Sequence, residues 1–352
     1  MRVAIDISPL SGGHTNRGVG EYTKNLIEAL KTYQSGYTYL LFDSTSHSPP
    51  QADIIHYPFF DPFFLTLPLS SPRPTIVTVH DLIPIVFPEH FPKGLRGSIK
   101  WKIQKYSLQR KQRIITDSEC SKKDIMKYVG IADEAIDVVY LAPSPVYQPV
   151  TNQSTLTDLR KKYQLSEKFI MYVGDVNWNK NIVGLLRACA RLVTKELSSS
   201  QPALVLVGKA FLNDSLLETK EIDHVIDELK LEKKVVKVGY VPDEDLAGLY
   251  TTATCLVQPS FYEGFGLPVL EAFACGCPVV AGDNSSLSEI IGPAIRVSAD
   301  HPEDIAKGIH SILSMSSKEK DILKEKGIDW VKQFTWKKTA HETVRVYERS
   351  LK

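Results

Sequence analysis

At 352 residues the chain exceeds what one hydrophobic core usually sustains, so two domains of about 150 to 180 residues are expected. Hydrophobic residues at 43%, charged residues at 24% and a net charge of +1 describe a soluble globular protein and argue against bulk nucleic-acid binding. The opening MRVAIDIS reads as a strand rather than a leader, no run reaches the roughly 18 apolar residues of a membrane span, and five scattered cysteines without CxxC spacing read as reduced cytosolic thiols.

In chain order, short β-branched runs alternate with helical stretches, the pattern of parallel-sheet α/β architecture. The first half offers strands at Arg2–Ser8, Tyr37–Asp43, Asp53–Tyr57, Thr75–Asp81, Arg113–Ser118 and Ile136–Ala142. After the first strand comes a loop with Gly12, Gly13, Gly18 and Gly20, which looks like the start of a dinucleotide fingerprint with Asp43 downstream. Two features oppose an NAD-dependent oxidoreductase. The excursion Ser8 to Arg17 is too long for a dinucleotide turn, and Thr23 occupies the third glycine position. YPFFDPFFL, Tyr57 to Leu65, concentrates aromatics after the third strand, and His80 ends the fourth with Asp81 beside it. If that strand continues, Asp81 points to the opposite face and has a structural role.

From Lys93 to Arg113 there are eight lysines and arginines and no acids, interleaved with Leu95, Ile99, Trp101, Ile103, Tyr106 and Leu108. A basic amphipathic helix of this kind suits an anionic membrane surface, and a solvated basic face beside packed aromatics explains it equally. The proline-rich segment Ala142 to Thr155 reads as a linker, which puts the domains at 1–148 and 149–335.

The second half repeats the alternation with strands at Lys168–Gly174, Ala203–Gly208, Val235–Val241, Thr254–Pro259, Pro278–Gly282 and Ala294–Ser298. Ligands are expected at strand C-terminal ends. Lys180 follows one such end just before a helix, where its ammonium suits a phosphate. Asp243-Glu244-Asp245 matches a metal-binding DxD in letters, but precedes helical LAGLY and reads as acids in a first helical turn. A final helix runs from about Trp336 to Leu351 with Thr335 as N-cap.

PSFYEGFGLPVLEAFACGCP, Pro259 to Pro278, is a strand end, a glycine loop and a helix start in succession, which is how an anion site is built. Gly264 and Gly266 let a ligand approach the backbone, and Pro268 suits the first helical residue. Glu263 and Glu271 flank the loop. Acids beside a phosphate are costly unless they accept hydroxyl hydrogen bonds, which the sugar and ribose of a sugar nucleotide would offer on either side of its diphosphate. A glycosidase also uses two carboxylates, but it holds them across a scissile bond and has no need for this loop.

Glu263-x7-Glu271 within EGFGLPVLEAFACGCPVV closely resembles the signature of the retaining glycosyltransferases of family 4. The resemblance implies a GT-B fold: two Rossmann-like doubly wound domains facing across a cleft, with the last helix, 336–352, crossing back onto the first. It implies an acceptor site in the first domain and donor binding in the second, through Lys180, Gly208, Val241, Glu263, Gly264, Phe265, Gly266, Leu267 and Glu271. Gly18 in RGVG resembles a loop near the donor phosphates, with Arg17 beside it, and His80 in VHD resembles the histidine that touches the donor sugar. His80, Glu263 and Lys180 are thus the catalytic candidates. Where relatives carry a basic pair and an arginine, this chain has Asn179 before Lys180, and Asp175.

The expected reaction moves a hexose, first guess mannose from the VHDLIP context, from a nucleotide diphosphate sugar to a saccharide or lipid-linked acceptor. Neither a covalent nucleophile nor a metal is expected. The expected location is cytoplasmic, with a peripheral contact at the inner membrane face through residues 93–113. A non-catalytic sugar-nucleotide-binding protein is the other alternative to an oxidoreductase.

Overall fold

The computed structural model describes residues 1–11, 18–71, 73–193 and 202–351. The chain divides into two compact units, Met1–Ala142 with Phe334–Lys352, and Pro143–Gln333. The first contains β1 (Arg2–Asp6), α1 (Gly18–Tyr33), β2 (Thr38–Phe42), β3 (Ile54–Tyr57), β4 (Thr75–Thr78), α2 (Ile83–Val86), α3 (Gly94–Leu108), β5 (Arg113–Thr116), α4 (Glu119–Asp124) and β6 (Ile136–Val138). The second contains α5 (Gln153–Lys162), β7 (Phe169–Val173), α6 (Ile182–Val193), β8 (Ala203–Val207), α7 (Leu217–Glu228), β9 (Val235–Gly239), α8 (Asp243–Thr252), β10 (Cys255–Gln258), α9 (Leu267–Ala274), β11 (Val279–Gly282), α10 (Leu287–Ile290), β12 (Ile295–Val297), α11 (Pro302–Ser314) and α12 (Ser317–Val331). The last helix, α13 (Trp336–Ser350), belongs to the first unit and packs on α1.

Each unit carries a six-stranded parallel sheet, in the orders β2-β1-β3-β4-β5-β6 and β12-β11-β10-β7-β8-β9. The central strands are apolar on both faces because helices cover both, as a parallel sheet requires. Every strand expected from the sequence is present, trimmed at its ends. Strand order reverses between β1 and β3 in the first unit and between β7 and β10 in the second. A crevice opens beyond the strand C-termini at such a point.

Helix boundaries follow local chemistry. Ser316 and Glu319 cap α12 reciprocally, and Thr335 accepts from the Lys338 N–H to start α13. One side of α13 then enters the first unit's interior, where fully buried Tyr347 meets His56 Nδ1 at 2.7 Å. His56 Nε2 reaches Thr78 Oγ1 at 2.9 Å, and that hydroxyl is 3.0 Å from Tyr22 Oη. Burial, with the nearby His80 charge adding to it, brings the His56 pKa down to about 3. Folded His56 is therefore neutral where the unfolded chain binds a proton. Between pH 6.5 and about 3 its contribution to stability falls by roughly 1.4 kcal/mol per pH unit as pH drops. Urea midpoints across that range, flattened in His56→Gln, are the check.

Candidate active site

In the second unit the loops after β7 and β10 flank the switch point, and asparagines bind them together. Asn179 accepts from the Phe261 N–H at 2.8 Å and donates its amide to the Tyr262 carbonyl at 2.9 Å. Asn181, in a left-handed conformation at φ 56°, donates to the carbonyls of Pro259 and Ala299. Trp178 stacks on Phe261 with ring centroids 5.0 Å apart. Asn179, the departure from the family's basic pair, is thus a brace between the two loops. Asp175 accepts from the Val176 N–H and stays within its own turn.

This bracing aims Lys180 at Glu263, with Nζ 2.7 Å from Oε2. The other carboxylate oxygen accepts from Gln258 Nε2 at 2.9 Å and Ser260 Oγ at 2.7 Å. Glu263 is only 5% exposed, so these three donors replace its lost hydration. Two serines ahead of α10 hold the loop from behind: Ser285 Oγ accepts from the Glu263 N–H, and Ser286 Oγ donates to the carbonyls of Glu263 and Phe265.

Gly266 is the N-cap of α9 at φ 111°, and a Cβ there would lie 2.7 Å from Leu287. No side chain caps this helix, so a bound anion would have no capping side chain to displace, although the Val269 N–H already donates to the Gly266 carbonyl at 3.0 Å. Pro268 is the second residue of α9, not the first as the sequence suggested, and Gly264 does not take a positive φ. The Phe265 ring is buried at 5% exposure, so only its backbone faces a ligand; Leu267 opens the helix.

Glu271 faces elsewhere. Its carboxylate accepts from Tyr250 Oη at 3.0 Å, while Glu263 shares its bonds with β10 and the Lys180 loop. Burial and then the Glu271 charge push the Tyr250 phenol far up, and burial, Glu271 and Asp243 do the same to Tyr147. Both therefore remain protonated donors on this side of α9. The neighbouring strand ends are bare: Gly174 donates to the Val207 carbonyl and Gly208 to the Gly239 carbonyl. A Cβ on Gly208 would lie 2.1 Å from the Gly174 carbonyl oxygen. Val241 has its side chain in the core at 4% exposure, whereas Tyr240 beside it is half exposed with the Lys209 ammonium 5.0 Å over its ring. Asp243 and Asp245 open α8 and bond Tyr147, Lys162 and Tyr163, which ties that helix to α5 and the linker.

In the first unit β4 stops at Thr78, so the face alternation that was to orient Asp81 does not extend to it. Asp81 instead accepts from the Ile83 N–H. His80 Nδ1 lies 2.6 Å from Asp117 Oδ2 and Nε2 3.2 Å from the Pro58 carbonyl, with Tyr22 edge-on at 4.7 Å. Both partners are acceptors, so the ring satisfies both only as imidazolium. Burial opposes that charge, but Asp117, Asp81 and the Pro58 carbonyl outweigh it and raise the His80 pKa. Sequence reading missed Asp117, although a carboxylate closing the strand next to His80's was there to be noticed. Gly18 opens α1 with nothing within 4 Å of where a Cβ would stand, while Gly12, Gly13 and Arg17 lie outside the described residues.

The basic helix differs from the expectation. Trp101 and Leu108 of α3 turn inward, but Leu95, Ile99 and Tyr106 turn outward, so apolar side chains occupy both faces. Lys105 and Lys111 donate to the carbonyls of Tyr128 and Pro68, and Arg113 pairs with Asp137. Burial also lowers the Lys111 pKa to about 8.

O-antigen chain mannosyltransferase B of Escherichia coli is 35% identical over 276 residues, which cover 78% of this chain and 70% of that protein. The chain belongs to glycosyltransferase family 4. The profile for this glycosyltransferase family matches residues 40–142, and the one described as glycosyl transferases group 1 matches 157–330. The O-antigen chain mannosyltransferase RfbU of Salmonella typhimurium is 28% identical over 249 residues, 70% of this chain and 62% of that one. Against the serotype-specific mannosyltransferase WbdA of Escherichia coli, 25% identical over 300 residues, the match takes in 83% of this chain but about a third of the relative, 35%.

Among solved structures, a sucrose-phosphate synthase from Thermosynechococcus elongatus superposes with a TM-score of 0.75 at 20% identity, covering 99% of this glycosyltransferase and 98% of the other chain. Anabaena HepE, solved with UDP and glucose, gives 0.74 at 18% identity and 99% of both chains. The fold is GT-B, and the protein is a hexosyltransferase. Membership replaces the oxidoreductase alternative, and Asp43, offered for a ribose, instead holds the Thr45 N–H and hydroxyl in its own turn.

Proposed function

We propose that this glycosyltransferase transfers mannose, with retention, from a nucleoside diphosphate donor to a hydroxyl of a saccharide or lipid-linked acceptor in polysaccharide assembly. The names of its mannosyltransferase relatives support the sugar. The observation that carries the donor site is the Lys180–Glu263 pair at the β7/β10 switch point, beside the uncapped start of α9 and the bare ends of β7, β8 and β9. Donor binding exchanges partners. Lys180 swings from Glu263 to the diphosphate, where with the N–H groups at Gly264 to Leu267 it stabilises leaving-group charge. Glu263 Oε2 is then open to a sugar hydroxyl. Glu271 accepts from the ribose beside Tyr250, the backbone at Gly208 and Val241 lines the nucleotide, and Gly18 admits close approach in the first unit. His80 donates Nε2–H to a sugar hydroxyl in exchange for the Pro58 carbonyl.

No metal takes part in this reading, because Asp243 and Asp245 are engaged by Tyr147, Lys162 and Tyr163. The protein acts in the cytoplasm, against the inner membrane face, through residues 93–113. The test is thermal stabilisation by GDP, UDP, dTDP and ADP in a chelator, followed by turnover with the matching mannose donor. One nucleoside diphosphate is expected to raise the midpoint. Glu271→Ala is expected to weaken that ligand about 10-fold to 100-fold, the value of a charged hydrogen bond. Unchanged affinity in that variant, or dependence on a divalent cation, contradicts the assignment.

A further inference from the structure

The loop after β3 and the outward face of α3 form one surface. The Phe63 ring lies 3.8 Å from where a Cβ on Gly97 would stand, and the Lys100 ammonium sits 5.0 Å over the Phe64 ring. Phe60 is buried and Phe63 packs on the core, but the next two side chains turn out, Phe64 at 63% and Leu65 at 61% exposure. Leu95 at 87% and Ile99 at 60% continue the exposed apolar surface along α3. Four large apolar side chains this open to water form a patch of the kind that marks an interaction site.

Charge indicates the partner. Of the eight cations between 93 and 113, Lys105, Lys111 and Arg113 are bound to internal acceptors, which leaves Lys93, Arg96, Lys100, Lys102 and Arg110. Arg110, just past the end of α3, lies over the Tyr106 ring at 4.2 Å, which sets a basic and an aromatic side chain together at that end. The nearby carboxylate, Asp61, is occupied by the N–H groups of Phe63 and Phe64. A two-fold contact with a second copy would set these cations against themselves. Nucleic acid would leave the apolar side chains without a partner. An anionic bilayer meets both: acyl chains take Phe64, Leu65, Leu95 and Ile99 while the ammonium and guanidinium heads reach headgroup phosphates.

We propose that Phe64, Leu65, Leu95 and Ile99 insert into anionic lipid, with Arg96, Lys100 and Lys102 as the flanking cations. This rests on the reading above that the enzyme works at a membrane, and it names the inserting residues and the lipid. Topology gives the contact a purpose. The loop bearing Phe64 leaves the C-terminal end of β3, and α3 begins after the C-terminal end of β4, so the inserting end of the patch lies at the end of the sheet that carries His80. A lipid-linked saccharide would then be presented at that end while its lipid stays in the bilayer.

The experiment is co-sedimentation of the full chain with vesicles of phosphatidylcholine alone or with about one-third phosphatidylglycerol. At least about tenfold stronger binding to the anionic vesicles is expected, weakened by salt. The double variants Leu95→Asp with Ile99→Asp, and Arg96→Glu with Lys102→Glu, should each lower that binding about tenfold or more. All four positions lie on the exterior, so thermal midpoints should stay at the wild-type value. Equal binding to both vesicle types, no binding, or undiminished binding in both variants overturns the proposal. So does a dimer that the variants dissolve while vesicle binding persists. Nucleoside diphosphate stabilisation is measured in the same samples: its presence without lipid binding rejects only the lipid contact, and its absence with lipid binding rejects only the donor site.

Discussion

Lys180→Ala is expected to lower kcat by about 10²-fold to 10³-fold, the usual cost of removing one donor that stabilises developing charge. Lys180 holds its ammonium within hydrogen-bond reach of Glu263, and its loop is fixed by Asn179, Asn181 and the Trp178–Phe261 stack. A preset side chain loses little entropy when it exchanges the carboxylate for a diphosphate. The stability effect should be smaller, about 1–3 kcal/mol, because Gln258 and Ser260 still hold the other oxygen of a carboxylate left without its cation. Lys180→Arg keeps the charge in a bulkier fork and is expected to recover part of the rate. Steady-state kinetics beside urea denaturation separates the two effects. A wild-type kcat in Lys180→Ala would remove the residue from the mechanism.

Asp117→Asn is expected to move the alkaline limb of the activity profile toward acid and to cut the rate at pH 7 about 10²-fold, as for other general acid–base or orienting groups. In the native protein burial lowers the His80 pKa, and Asp117 more than restores it, leaving the imidazolium favoured. Asparagine removes the charge and leaves the burial. His80 then titrates lower, and the cationic form that donates through both nitrogens is lost sooner as pH rises. The sign for stability is the same: with a raised folded pKa, the His80 contribution is complete below 6.5 and disappears as pH rises through the folded value. A profile unchanged in position but reduced in height would mean that Asp117 acts through packing alone.

Much of the fold was readable because a parallel sheet covered on both faces requires apolar runs, and β-branched runs such as VVAG at Val279–Gly282 have few other uses. Strand ends were less visible, since β4 stops at Thr78 although the apolar pattern runs on through Val79. Glu263, Lys180 and the glycine loop stood out because charges and glycines at strand ends are conspicuous in an apolar chain. The supports did not. Ser285, Ser286, Asn179 and Asn181 act through hydrogen bonds to backbone atoms far away in sequence, and such bonds leave no periodic trace. Asp117 reads locally as the residue before the N-cap of α4, and only the adjacency of β4 and β5 brings it to His80. The basic segment misled for a related reason: composition counts eight cations but cannot say that three are already engaged.

The return of α13 to the first unit also bears on how the chain is made. Residues 143–333 form a continuous stretch that can fold as soon as it leaves the ribosome, whereas the first sheet, begun earlier, lacks its covering helix until residues 336–350 have also been made. Until Tyr347 arrives, His56 has no partner for Nδ1 and the surface of α1 that α13 covers is open to water. Of the two units, the one begun first is therefore the one completed last, and a chain stopped near residue 333 would keep the second unit whole while leaving the first unfinished.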